Sequence, residues 1–296
     1  MSKIRELGRA IWKGRVGYAF LALPYLAFLM IVLVPLVAAI AISFFETDFV
    51  TFKFVGLGNF REYFGNSDYT DVLWQTVRYV LVIVPASVTA ALVLAFLIRP
   101  LTWLLQSFFR GAFYLPSVVG GIVLTVVWLW IFNPSYGLLN YLLGLFDLQP
   151  VQWLASGRTS WLAVSIVVFS YTLGSQIILF LAGLANIPED LHDAAKVDGA
   201  TSWQTATRID LPLLRPVLAF VLAIQTIAVF QLWETIYVLT FGGPRGASAS
   251  VVFQIYQTAF QFSRYGLGSA MGMVLMIIIV VVTLIQRRFW GESSLF

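Results

Sequence analysis

The sequence predicts an all-α integral membrane protein with six transmembrane helices, and three observations carry that prediction. Of the 296 residues, 60% are hydrophobic and only 11% charged, far below the roughly 25% charged of a soluble domain. Six apolar segments are each long enough to cross ~30 Å of hydrocarbon at ~1.5 Å of rise per helical residue. The basic residues divide unevenly between the two sets of loops that six crossings create. A large soluble enzyme with buried helices is the alternative, but six such runs leave it too little polar surface.

The spans are expected at about 18–45, 76–98, 111–132, 161–184, 216–241 and 265–286. A basic segment over 1–16 precedes them and a tail over 287–296 follows. The first span is not a cleaved signal: its apolar run exceeds the ~7–15 residues of a signal core, and Pro24 and Pro35 interrupt it without a small-residue cleavage site. Residues 46–75 read as an external loop carrying Phe54-Val55-Gly56-Leu57-Gly58-Asn59-Phe60. Pro85 and Pro116 are expected to kink the second and third spans. Gly120-Gly121 in the third, and Gly266, Gly268 and Gly272 in the sixth, permit close helix approach. Asn133-Pro134-Ser135-Tyr136-Gly137 is a turn signal, followed by a short interfacial helix over 138–143. Phe241-Gly242-Gly243-Pro244-Arg245-Gly246 reads as a rigid external turn. Trp128, Trp130, Trp153, Trp161 and Trp233 fall near external ends, where an aromatic belt lies. Without tandem repeats or low-complexity linkers, the chain reads as one domain.

Orientation follows from the cations. Lys3, Arg5, Arg9, Lys13, Arg15, Arg99, Arg110, Lys196, Arg208, Arg215, Arg287 and Arg288 share one side, and Lys53, Arg61, Arg78, Arg158, Arg245 and Arg264 the other. The richer side is cytoplasmic by the positive-inside bias, so both termini are expected there. The five leading cations suit a segment lying on anionic lipid. That asymmetry accounts for the net charge of +4 and leaves a nucleic-acid reading nothing to explain.

A polar island over 185–215 interrupts the apolar runs. It holds Glu189, Asp190, Asp193, Asp198, Asp210 and the only histidine, His192. Pro188 suits the first turn of a helix, and Glu189 and Asp190 favour its dipole. This helix is expected to run to about Asp198 and stop at Gly199, which adopts left-handed geometry cheaply. Thr201-x-x-Gln204 is a capping-box pattern for a second helix through Ile209. Leu211-Pro212 and Arg215-Pro216 then end it. On these residues alone the helix–glycine–helix elbow is either a docking knob or a plain solvated connector.

The island resembles the EAA signature of ABC-transporter permease subunits. Asp193-Ala194-Ala195 stands where that family has Glu-Ala-Ala, followed by Asp198-Gly199-Ala200 and by Ile209-Asp210-Leu211-Pro212. Aspartate for glutamate at 193 keeps the charge on a shorter arm. Gly56-Leu57-Gly58-Asn59-Phe60, Leu115-Pro116-Ser117-Val118-Val119, Gly137-Leu138-Leu139-Asn140 and Thr240-Phe241-Gly242-Gly243-Pro244 resemble segments of binding-protein-dependent carbohydrate permeases of the maltose, trehalose or glycerol-phosphate type. The resemblance implies a type I importer fold in a bacterial or archaeal cytoplasmic membrane. It implies a second permease subunit, two ATP-binding subunits that carry ATP and magnesium, and an extracytoplasmic solute-binding protein. It also implies that the elbow enters a cleft on an ATPase subunit. Asp193, Ala194, Ala195, Asp198, Gly199, Ala200, Leu211 and Pro212 carry that coupling.

The chain's own chemistry agrees that the energy comes from elsewhere. A phosphate loop needs Gly-x-x-x-x-Gly-Lys-Ser/Thr, and no Gly-Lys pair occurs. No Gly-x-Ser-x-Gly or His-Glu-x-x-His pattern occurs, and there is no cysteine to act as nucleophile or ligand. His192 alone reads as a surface side chain. No catalytic or metal site and no cofactor is expected in this chain.

The pathway residues are read from polarity within the spans. Glu234 is a candidate because an ionisable group there is costly, and Gln231 is expected on nearly the same helical face. Thr172 and Gln176 follow one stripe of the fourth span with Ser165, and Tyr171 and Ser175 a neighbouring one. Gln225 lies about 120° around the fifth span from Gln231 at ~100° per residue. Such residues serve either as substrate contacts or as interhelical glue. Three functions are in play. The first is an importer permease for a sugar, or for another solute such as glycerol phosphate. An ion-coupled carrier is the second, weakened by the missing inverted repeat. A membrane enzyme is the third, weakened by the missing His, Asp or Cys constellation.

Overall fold

In a computed structural model, which describes residues 15–290, the apolar runs become long helices wherever no glycine or polar residue interrupts them. Most of the basic leading segment and all of the tail from 291 lie outside the described residues. Helix α1 comprises Arg15–Phe28, a π-helical turn Leu29–Leu33 and Val34–Ile42. The described side chains of its first half are exposed, and Val34–Ile42 packs on the last described helix. It ends at Ile42, short of the expected 45, because the chain turns into a hairpin.

In that hairpin β1 (Phe45–Thr47) pairs antiparallel with β2 (Phe52–Phe54), in the register Phe45↔Phe54, Glu46↔Lys53 and Thr47↔Phe52. Asp48 Oδ1 closes the turn by accepting from the Val50 and Thr51 amides at 2.9 and 2.7 Å. Helix α2 (Gly58–Gly65) follows. Its buried Asn59 donates to the carbonyls of Ser43 and Phe45, each at 2.9 Å. The expected external loop is therefore an ordered cap.

Helix α3 (Ser67–Ile98) begins nine residues before the expected Thr76, since the Asn66 side chain caps the Asp68 amide and the polar turns stay helical. Val72, Thr76, Tyr79, Ile83, Ser87, Ala91, Ala95 and Ile98 recur every three or four residues, so one face is buried. Pro85 sits within α3 without ending it. This face meets helix α7 (Gly157–Ala185) and helix α10 (Arg215–Phe230), and the three form the core.

The third span departs most from expectation. It divides into α4 (Trp103–Val119) and α5 (Gly121–Ile131), bent by 99°. Pro116 stays inside α4, and the break falls at Gly120 with φ 90° and ψ 149°. That conformation is open essentially to glycine alone, so the residue expected to ease packing makes the corner instead. Packing does use another glycine: a Cβ on Gly174 of α7 would collide with the Phe113 carbonyl of α4.

The interfacial helix appears as α6 (Leu138–Gly144). The polar island forms α8 (Glu189–Val197) and α9 (Ser202–Leu213), with a π-helical turn at Ala206–Asp210. The second helix thus continues beyond Ile209 and through Pro212. The π turn ends at Asp210, and Pro212 falls in the first turn after it, where a missing N–H is tolerated. Helix α10 leaves at 67°.

The fifth span also breaks. Helix α10 stops at Phe230 and α11 (Glu234–Leu239) restarts after three non-helical residues. The freed Leu232 carbonyl accepts from the Ser250 hydroxyl, which also caps the next helix. That helix, α12 (Val251–Tyr256 with a π turn Gln257–Gln261), has no counterpart among the expected elements. It is fastened to α3 through Thr76 Oγ1, which accepts from the Val251 amide at 2.9 Å, and Tyr79, which donates to the Ser248 carbonyl at 3.0 Å. The Phe241–Gly246 turn before it contains a cis Gly243–Pro244 bond.

Helix α13 (Tyr265–Trp290) is the last described element. It packs along α10 and carries Gly266 so close to Phe45 that a Cβ would strike the Phe45 carbonyl. Arg264 holds Glu62 of α2 with two bonds of 2.6 Å. Among the described residues, four helices are long and apolar enough to cross a membrane, or up to six if each bent pair is one span.

Candidate functional site

Two places concentrate polar chemistry: the elbow of α8 and α9, and a cavity at the breaks of the third and fifth spans. The elbow bends where expected. Gly199 has φ 71° with open space around its α-carbon, so the residue is required by the backbone and not by crowding. Thr201 and Gln204 cap each other's backbone amides, at 3.3 Å from the Gln204 amide and 2.8 Å from the Thr201 amide.

The elbow is braced from below by residues that sequence reading did not connect. Asp210, buried at the end of the π turn, accepts from Arg99 Nη1 at 2.8 Å. Arg99 stands immediately after α3. His192 Nε2 lies 2.8 Å from Asp210 Oδ1 and 2.9 Å from Arg99 Nη2. Which of the two it bonds depends on where the ring carries its proton. His192 is thus no free surface side chain: its side chain is 14% exposed and ties α8 to α9. One sequence signal pointed here, the lone carboxylate of Asp210 between Ile209 and Leu211 at a span's edge. Its partner lies 111 positions away.

The opposite face of the elbow is largely open among the described residues. Asp193, Ala194, Asp198 and Gly199 are exposed, whereas Ala195 is buried and Ala200, Leu211 and Pro212 are half-buried. Lys196, donating to Asp193 at 2.8 Å, holds that carboxyl below its usual range. Val197 is 88% and Trp203 77% exposed. Both are large apolar side chains left exposed on the elbow, and sequence reading passed over them.

The second place is a cavity of about 500 Å³ lined by Tyr171, Gln231, Trp233 and Glu234 together with Ala228, Leu232, Val252 and Leu275. The interruption at 231–233 brings Gln231 and Glu234 to it, not the shared helical face expected. Gly121, at the corner of the third span, approaches it: a Cβ there would lie 3.5 Å from Glu234 Oε2 and 3.8 Å from the Tyr171 ring. The Trp233 ring stacks on Tyr237 at 5.1 Å, and its buried indole N–H has no partner among the described residues. Thr172 and Gln176 lie elsewhere, in helix packing. Gln225 donates to Thr172 Oγ1 at 3.3 Å, and Gln176 donates to Ser87 at 3.4 Å. Irregular backbone at membrane depth is tolerated where it lines a cavity.

Comparison with known proteins gives this geometry a context. Residues 83–289 match the family described as binding-protein-dependent transport system inner membrane component. The probable ABC transporter permease protein YesP of Bacillus subtilis is 35% identical over 91% of this chain and 88% of its own. The arabinooligosaccharides transport system permease protein AraP of the same organism is 30% identical over 95% of this chain and 90% of its own. Among solved structures, a bacterial ABC transporter involved in the import of the acidic polysaccharide alginate superposes with TM-score 0.88 at 22% identity. That match covers 98% of this chain and 99% of the other.

Proposed function

This chain belongs to the binding-protein-dependent transport system inner membrane components, and from that premise we propose how its two polar places serve import. It is a membrane-embedded permease of the ABC-importer type and a non-catalytic transport subunit. Membership sets aside the ion-coupled carrier and the membrane enzyme.

The solute is a sugar, in keeping with the relative that transports arabinooligosaccharides. The elbow of α8 and α9 docks on a separate ATP-binding subunit, which supplies ATP and magnesium. Asp193, Ala194, Ala195, Asp198, Gly199 and Ala200 form the contact, and Leu211 and Pro212 steer the chain from it into α10. The exposed pair Val197 and Trp203 is the observation that carries this reading, because burial of that apolar area against a partner is favourable at roughly 25 cal/mol per Å². A second permease subunit completes the pore, and an extracytoplasmic solute-binding protein delivers the sugar. Both termini and the elbow face the cytoplasm.

On the pathway, Tyr171, Gln231 and Glu234 offer a hydroxyl, an amide and a carboxylate to sugar hydroxyls. Thr172 and Gln176 position α7 against α10 and α3.

Affinity purification of the tagged chain from gently solubilised native membranes tests the docking. An ATP-binding subunit is expected to co-purify with the wild type and to be lost from Gly199→Pro and from Asp193→Arg, both of which remain in the membrane. Retention of that subunit by both variants, with normal uptake, would remove the elbow from the coupling path.

A further inference from the structure

The charge of the cavity has a consequence for which saccharides can pass. Glu234 is its one titratable carboxyl, and no lysine, arginine or histidine lines it. Among the described residues no cation stands within ion-pair distance of Glu234. The cations nearest in sequence do not line this cavity: Arg245 belongs to the turn before α12, and Arg215 stands at the opposite end of α10. The remaining polar lining is a phenol and an amide, since the Trp233 indole N–H is buried away from the cavity space. Such a set hydrogen-bonds hydroxyls well and holds one fixed negative charge.

We propose that Glu234 is a specificity-determining residue which admits neutral saccharides and turns away acidic ones. The inference rests on the saccharide reading of this cavity given above. A uronate entering here would bring a second carboxylate beside Glu234 with no cation to compensate either. Glu234 is exposed within the chain; like charges brought close to it still repel, and rejection by an unpaired charge is a general route to specificity. A neutral sugar meets no such penalty and supplies hydroxyls to the Glu234 oxygens. The solved transporter with a similar fold imports an acidic polysaccharide, so the fold leaves this preference open and the lining residue sets it.

The test measures binding to the intact permease assembly in lipid nanodiscs, with no solute-binding protein present to impose its own selection. The probes are neutral di- to pentasaccharides, each matched with its counterpart oxidised to the carboxylate at C6. The wild type is expected to prefer the neutral member of a pair by about fivefold, the repulsion of like charges ~4 Å apart in water. Glu234→Asp keeps the charge and should keep the preference. Glu234→Gln removes the charge and should bring the two members of each pair to about equal affinity, whatever it costs the affinity of both. A preference unchanged in Glu234→Gln, or absent from the wild type, overturns the filter and leaves the saccharide pathway standing. No binding by any neutral probe overturns the pathway reading, and the filter with it.

Discussion

The contact between Arg99, Asp210 and His192 separates what a single buried charge needs from what its partners need. The Asp210 side chain is 4% exposed, while Arg99 retains 31% of its side-chain surface. Removing Arg99 leaves a carboxylate out of water with only His192 to meet it. Removing Asp210 leaves a guanidinium that can turn to solvent. Breaking a buried pair from the side that strands the buried charge costs about 3–5 kcal/mol. Arg99→Ala is therefore expected to cost about 3 kcal/mol and Asp210→Ala clearly less. Thermal unfolding of the two variants in detergent checks the order, and equal losses would show that Asp210 is hydrated in solution.

At the scale of elements, the bent third span is decided by one glycine. Gly120 is held at φ 90° and ψ 149°, and open space surrounds its α-carbon. Alanine there meets no neighbour but must adopt a backbone conformation it strongly disfavours, at a cost of about 1–3 kcal/mol. The strain would be relieved by moving the corner, which shifts Gly121 away from Glu234 and Tyr171. Gly120→Ala is expected to weaken saccharide binding and uptake while the assembly still purifies intact, whereas Gly121→Ala, with a Cβ at ordinary contact distance, should be mild. Uptake assays on both variants decide it, and equal activity of Gly120→Ala and wild type would show that α4 and α5 keep their angle without glycine. Sequence reading drew the expected third and fifth spans each as continuous, and the structure breaks both. Hydropathy averages over ~19 residues, and neither Gly120 nor the Gln231-Leu232-Trp233 interruption lowers that average enough to register.

For the whole molecule, orientation is open to a direct experiment because the chain has no cysteine. Cysteine at Ser202, beside the elbow, is expected to react with a membrane-impermeant thiol reagent only in inverted vesicles. Cysteine at Ser135, in the turn before α6, is expected to react only from outside. The reverse pattern would overturn the assignment drawn from the distribution of arginine and lysine. The first half of α1 bears on the same scale: its apolar surface is exposed within the chain, as suits a helix whose surroundings are lipid or another subunit.

By itself the sequence determined the class of protein, its largely helical apolar build and the bend at Gly199. These depend on local composition, on charge, and on turn and capping residues a few positions apart. It also singled out Glu234, Gln231 and Tyr171, because polar groups among apolar ones stand out without any knowledge of packing. The tertiary structure alone decided that Tyr171, Gln231 and Glu234 share a cavity while Thr172 and Gln176 are spent on neighbouring helices. It alone decided that His192 braces the elbow through Asp210 and Arg99, and that the run after Ser250 is a helix fastened to Thr76. Each of these joins residues tens to hundreds of positions apart, and such pairings are fixed by which apolar faces pack together, a property no local window of sequence contains.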